Sequence, residues 1–103
     1  KISGIGAVNS ATVGLFDPEA QIYHSVELKE DFEITSLSGN ITLFKNDVYL
    51  NLHINLDGSD HQTRGGHLNE AIVSATAEII IDIFEGELGR KYDDESGLNV
   101  LDF

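Results

Sequence analysis

The chain has 103 residues, 41% of them hydrophobic, and its 18 acidic residues against 6 basic ones give a formal net charge of -12. This is the composition of one folded domain near the low end of the usual size range, and its charge disfavours a direct grip on DNA, which needs clustered Lys and Arg to neutralise phosphates. With no cysteine present, disulfides, thiolate metal sites and cysteine nucleophiles are excluded together, an absence that fits a cytoplasmic protein.

No apolar run approaches the roughly 20 residues of a membrane helix, so no membrane role is expected. The chain opens on Lys1, holds no methionine, and already has strand character in "KISGIGAV". A preceding N-terminal portion is therefore expected.

In chain order, "ATVGLF" (Ala11–Phe16) runs into a turn at Asp17–Pro18. "IYHSVEL" (Ile22–Leu28) alternates, with Ile22, His24, Val26 and Leu28 on one face and Tyr23, Ser25 and Glu27 on the other. "FEITSLSGNITLF" (Phe32–Phe44) is rich in β-branched and aromatic residues, with a kink or bulge expected at Gly39–Asn40. Lys45–Asp47 reads as a hairpin turn. In "LNLHINL", Leu50, Leu52, Ile54 and Leu56 form one face and Asn51, His53 and Asn55 the other, which is a strong strand pattern.

"DGSDHQTRGG" reads as a turn-rich loop. For "NEAIVSATAEIIIDIFEGEL" (Asn69–Leu88) the density of β-branched residues favours a strand over a helix. In the polar-then-apolar tail, Leu98, Val100, Leu101 and Phe103 are expected to dock on the sheet or on a neighbour. The reading is a single domain over residues 1–103, mostly antiparallel β with few helices.

Five stretches in this order, "SGIGAV", "FEITSLSGNIT", "LHINLDG", "GGHL" and "ATAEI", resemble the plant-and-prokaryote-conserved (PPC) domain of the stand-alone prokaryotic type. The resemblance covers Ser3 to Leu101. It implies an α+β fold, a homotrimer packed around a three-fold axis, and a strand and helix ahead of "KISGIGAV". Prokaryotic members often carry a DNA-binding label, yet the Arg-Gly-Arg-Pro core of the AT-hook is absent from this chain.

The resemblance also implies a candidate metal site built from a His-x-His strand and the histidine of "GGHL". His53 and His67 match two of these positions, while Asn51 replaces the first strand histidine, and an amide oxygen is a poor substitute for imidazole at a transition metal. The functional reading is zinc or another divalent transition metal on His53 and His67, with His24, His61, Asn51 or a residue of a neighbouring subunit as a third group. The structural alternative makes His53 a half-buried strand residue bonded to Asn51 or Glu78. It places His67 at a turn where two glycines bring backbone close to backbone.

Glu33 and Glu78 read as strand carboxylates paired with Arg64, Lys29 or a neighbour's Arg90, ahead of a role in orienting an imidazole or as a general base. Asp57–His61 lacks the spacing of a calcium loop, and Asp93–Glu95 reads as solvated surface. No catalytic triad or phosphate loop is visible. The expected function is a non-catalytic homotrimeric domain acting through a protein partner or a bound metal or small ligand. The competing expectation is a metal-dependent enzyme using His53 and His67 at a subunit cleft.

Overall fold

The computed structural model describes residues 1–103. Every regular element is a strand: β1 (Ile2–Asp17), β2 (Ile22–Leu28), β3 (Phe32–Phe44), β4 (Asp47–Asp57), β5 (Thr63–Ile81), β6 (Gly89–Asp93) and β7 (Leu98–Asp102). They form one sheet in the order β2-β1-β5-β4-β3-β6-β7. Pairing is antiparallel throughout except for one parallel contact, Leu43 with Gly89, between β3 and β6.

The few helices expected for an α+β domain are not there, and this part of the expectation is corrected. The apolar segments either alternate with period two or are dense in Val, Ile and Thr, and both patterns suit a pleated surface. No helix is long and apolar enough to cross a membrane.

β1 changes neighbours along one edge, pairing with β3 over Ile2–Val8 and with β2 over Ala11–Asp17, while its other edge carries β5. Since β5 pairs with β4 and β4 with β3, the strands β1, β5, β4 and β3 close into a circuit. The core lies within it: Ile2, Val8, Ala11 and Val13 from β1, Phe32, Ile34 and Leu37 from β3, and Ile54 and Leu56 from β4. The period-two pattern on β4 predicts this for its second half, where Ile54 and Leu56 are buried while His53 and Asn55 face out.

The expected turn after Phe44 is a two-residue hairpin in which Lys45 and Asn46 both take positive φ, 53° and 63°. That pair of angles matches the right-handed twist of the flanking strands. Asp17 closes the preceding turn, its Oδ1 accepting from the backbone N–H groups of Glu19 and Ala20. The bulge expected at Gly39–Asn40 lies elsewhere: the β3–β4 ladder runs unbroken through Gly39 and shifts register between Ile34 and Ser36. The C-terminal tail folds as the β6–β7 hairpin, and Asp93 starts its turn by accepting from the Ser96 N–H.

The molecule is a slab of 41 × 36 × 18 Å with a radius of gyration of 14.9 Å. A compact chain of this length would have a radius near 13 Å.

Candidate functional site

The site is a lateral row across five strands. Ser25 on β2 pairs with Gly14 on β1, Gly14 with His67 on β5, His67 with His53 on β4, and His53 with Ser38 on β3. Residues directly opposite one another on paired strands project from the same face, so this row stands on the outer surface. The two imidazoles are neighbours in it, with ring centroids 5.3 Å apart at 82°.

His67 is therefore a mid-strand residue and not the edge of a turn, because β5 begins at Thr63 and takes in both preceding glycines. The close-approach argument for those glycines holds. A Cβ on Gly65 would strike the Ile54 carbonyl oxygen, and one on Gly66, at φ 157°, would come within 2.6 Å of the Gly14 carbonyl oxygen. The glycines let β5 squeeze between β4 and β1, which brings His67 alongside His53.

His53 is exposed, where a half-buried position bonded to Asn51 or Glu78 was the structural alternative, and neither imidazole makes a hydrogen bond. Partial burial, followed by the neighbouring His53, pushes the His67 imidazole below its ordinary value of 6.5. Both causes favour the neutral ring, which is the form that binds a metal.

Of the other candidates, Asn51 shares the outer face of β4 with His53 and pairs with Asn40. His24 pairs with Leu15 and so lies on the face opposite to Tyr23 and Ser25. His61 sits in the exposed loop between β4 and β5 in a left-handed conformation. Glu78 pairs with Ile5 toward the far end of β5. With Glu33, Asp31 and Asp57 it lines a separate open depression of about 610 Å³. Neither Glu33 nor Glu78 forms an ion pair, since Arg64 is taken by Asp60 at 2.7 Å and Lys29 by Glu27. No three His, Asp or Glu side chains of the chain converge on one point.

Tyr23 and Asn69 also belong to the site, and neither stands out in the sequence. The Tyr23 ring meets His67 edge to face, centroids 5.9 Å apart at 88°, and its hydroxyl donates to Asn69 Oδ1 at 2.6 Å. The alternation of "IYHSVEL" does put Tyr23 on the face of Ser25. Only the lateral register of strands distant in sequence puts it beside His67.

An all-strand sheet closed through four of its strands, with a paired-histidine row on the outside, defines a class of small β domain. The chain matches the Plants and Prokaryotes Conserved (PCC) domain over residues 1–85 and belongs to that family. No protein of curated function matches it by sequence.

Three solved structures share the fold closely. A candidate DNA-binding protein from Bacteroides thetaiotaomicron is 36% identical with a TM-score of 0.95, the match covering 99% of this chain and 71% of that one. A metal-containing protein from Archaeoglobus fulgidus is 37% identical with a TM-score of 0.86, over 96% of this chain and 70% of that one. A plant- and prokaryote-conserved protein from Pyrococcus horikoshii is 30% identical with a TM-score of 0.88, over 99% and 71%.

Proposed function

We propose that this PCC domain is a non-catalytic association module that works as a homotrimer. The observation that carries the proposal is its surface. The chain exposes 7194 Å², whereas a compact monomer of its mass would expose about 5,700 Å². The excess of about 1,500 Å² is close to two standard interface faces of about 800 Å² each, and two faces per copy is what a closed ring requires.

The excess is apolar. Ile72, Val73, Ile79, Ile80 and Ile81 of β5 are each more than half exposed, and beyond His67 the edge of β5 away from β1 carries no strand. An open apolar strand edge invites pairing with another chain. Sedimentation at micromolar concentration is expected to give a trimer, and a stable folded monomer overturns the proposal.

A second reading rests on the paired imidazoles. His53 and His67 supply half of a tetrahedral zinc site, or part of a site for another divalent transition metal, and a neighbouring copy or water would complete it. The metal-containing relative from Archaeoglobus fulgidus, 37% identical, supports this reading. When bound, such an ion would act as a Lewis acid, which is the chemistry a metal-dependent enzyme at a subunit cleft would use. Elemental analysis tests this reading: metal near one per chain, lost in His67→Ala, supports it, and metal in neither protein removes it.

Direct DNA binding, the label of the Bacteroides thetaiotaomicron relative, fits the surface least well. Lys29, Arg64 and Lys91 each face a carboxylate, and Arg90 is spent on internal hydrogen bonds. No basic patch is left for a phosphate backbone.

A further inference from the structure

We propose that Tyr23 is a positioning residue of the His53/His67 site, holding the His67 imidazole in the orientation that faces His53. Its purpose rests on the metal-binding reading above, but the geometry stands independently of it. Tyr23 lies on the edge strand β2 in register with Phe16, and its ring leans back along the strand over Gly14. Gly14 is the empty position in the lateral row. Any side chain there would collide with the Tyr23 hydroxyl and ring. Tyr23 thus fills the place beside His67 that the row leaves vacant.

His67 is held from two sides as a result. Tyr23 meets it at 88° with centroids 5.9 Å apart, and His53 meets it at 82° and 5.3 Å. Edge-to-face packing of this kind is directional, so it restricts the imidazole more than aliphatic contact would.

The Tyr23 ring is itself tethered. Its hydroxyl donates to Asn69 Oδ1 at 2.6 Å. Asn69 is the extra residue where the β1–β5 register shifts between Thr12/Glu70 and Val13/Leu68. Bulged residues re-aim side chains in this way. The bulge, the glycine and the tyrosine all act on one imidazole. Ordering that ring before a ligand arrives removes an entropic cost of binding.

Cobalt(II) titration followed by its visible spectrum tests the proposal, with His67→Ala as the unliganded reference. In Tyr23→Leu, which lacks both the flat ring and the hydroxyl, cobalt(II) affinity is expected to fall about 10-fold, as for other residues that orient a ligating histidine. Tyr23→Phe keeps the edge-to-face ring but loses the tether to Asn69, and its affinity is expected to fall between wild type and Tyr23→Leu. Wild-type affinity in Tyr23→Leu overturns the proposal.

If wild type and His67→Ala alike bind no cobalt(II), the metal reading fails and Tyr23 is judged in the metal-free protein. The nuclear Overhauser contact between the His53 and His67 ring protons is then expected in wild type and lost in Tyr23→Leu. Its retention in Tyr23→Leu overturns the positioning role.

Discussion

The guanidinium carbon of Arg90 sits 4.7 Å from the centre of the Tyr49 ring, and no carboxylate is among its partners. Its Nε donates to Thr42 Oγ1, Nη1 to the Asn99 carbonyl oxygen and Nη2 to Asn40 Oδ1, all between 2.7 and 2.9 Å. The backbone ties the β6–β7 hairpin to β3 through one register pair, Leu43 with Gly89, and the adjoining bond from Leu43 N–H to the Leu88 carbonyl oxygen. Arg90 is therefore its main fastening. Arg90→Ala is expected to cost about 2 kcal/mol. Hydrogen exchange should show protection lost over Gly89–Asp102 while β1 and β4 keep theirs. Arg90→Lys should recover little, since an ammonium cannot reproduce the planar fork.

Gly66 and Gly89 should respond very differently to a methyl group. A Cβ on Gly66 meets the Gly14 carbonyl oxygen at 2.6 Å, whereas one on Gly89 makes ordinary contact at 3.6 Å with the Leu43 carbonyl oxygen. Gly66→Ala is expected to destabilise the domain by about 2 kcal/mol or more, through strain and displaced backbone. Gly89→Ala should stay within about 0.5 kcal/mol of wild type. Urea unfolding midpoints of the two variants check this.

The depressed His67 value gives stability a defined pH dependence. Above its ordinary value of 6.5 the ring is neutral in both folded and unfolded chains, and pH has no leverage through it. As pH falls below 6.5 the unfolded chain takes up the proton first, so stability drops until pH passes below the folded value, and then levels. Thermal midpoints at pH 7.5 and pH 5 should differ in that direction. The difference should shrink in His67→Gln, and partly in His53→Gln because the His53 charge is the second cause. Asp60 acts in another window: Arg64 holds its carboxyl at about 2, so its contribution is lost only as pH falls from 3.8 toward that value.

Ile80 is 62% exposed on β5 and contributes nothing to the internal core. If Ile80 lies in the proposed trimer interface, Ile80→Asp should leave the fold of one copy intact while dispersing that trimer, because a buried unpaired carboxylate is costly at an apolar interface. Circular dichroism unchanged from wild type, together with a monomeric sedimentation coefficient, is the expected pair of results.

Much of the sheet is legible in the sequence. The limits of β2 and β3, the turn at Lys45–Asn46 and the inward face of Ile54 and Leu56 follow from period two and turn chemistry, which are local signals. What resists reading is lateral. The glycines at 65 and 66 look like a turn because glycine usually marks one. Here they permit close passage between Ile54 and Gly14, and nothing near them in sequence says so. The β6–β7 hairpin is likewise hidden, because its fastening depends on Arg90 meeting Thr42 and Asn40. Of the site, His53 and His67 come from the family resemblance. Tyr23 and Asn69 needed the register of β1 against both β2 and β5.

The closed circuit of β1, β5, β4 and β3 has a kinetic consequence. Its last seam joins Ile2 to Ile81 and Gly4 to Ile79, so although β1 meets β2 and β3 early, the circuit closes only after nearly the whole sheet is available. Long-range antiparallel closure of this kind is slow, on the order of milliseconds to seconds for a small domain. During synthesis Ile2 and Val8 can pack against Phe32, Ile34 and Leu37 as soon as β3 has emerged, so what waits for β5 is the opposite edge of β1, and chaperone contact in that interval should concentrate on that open edge.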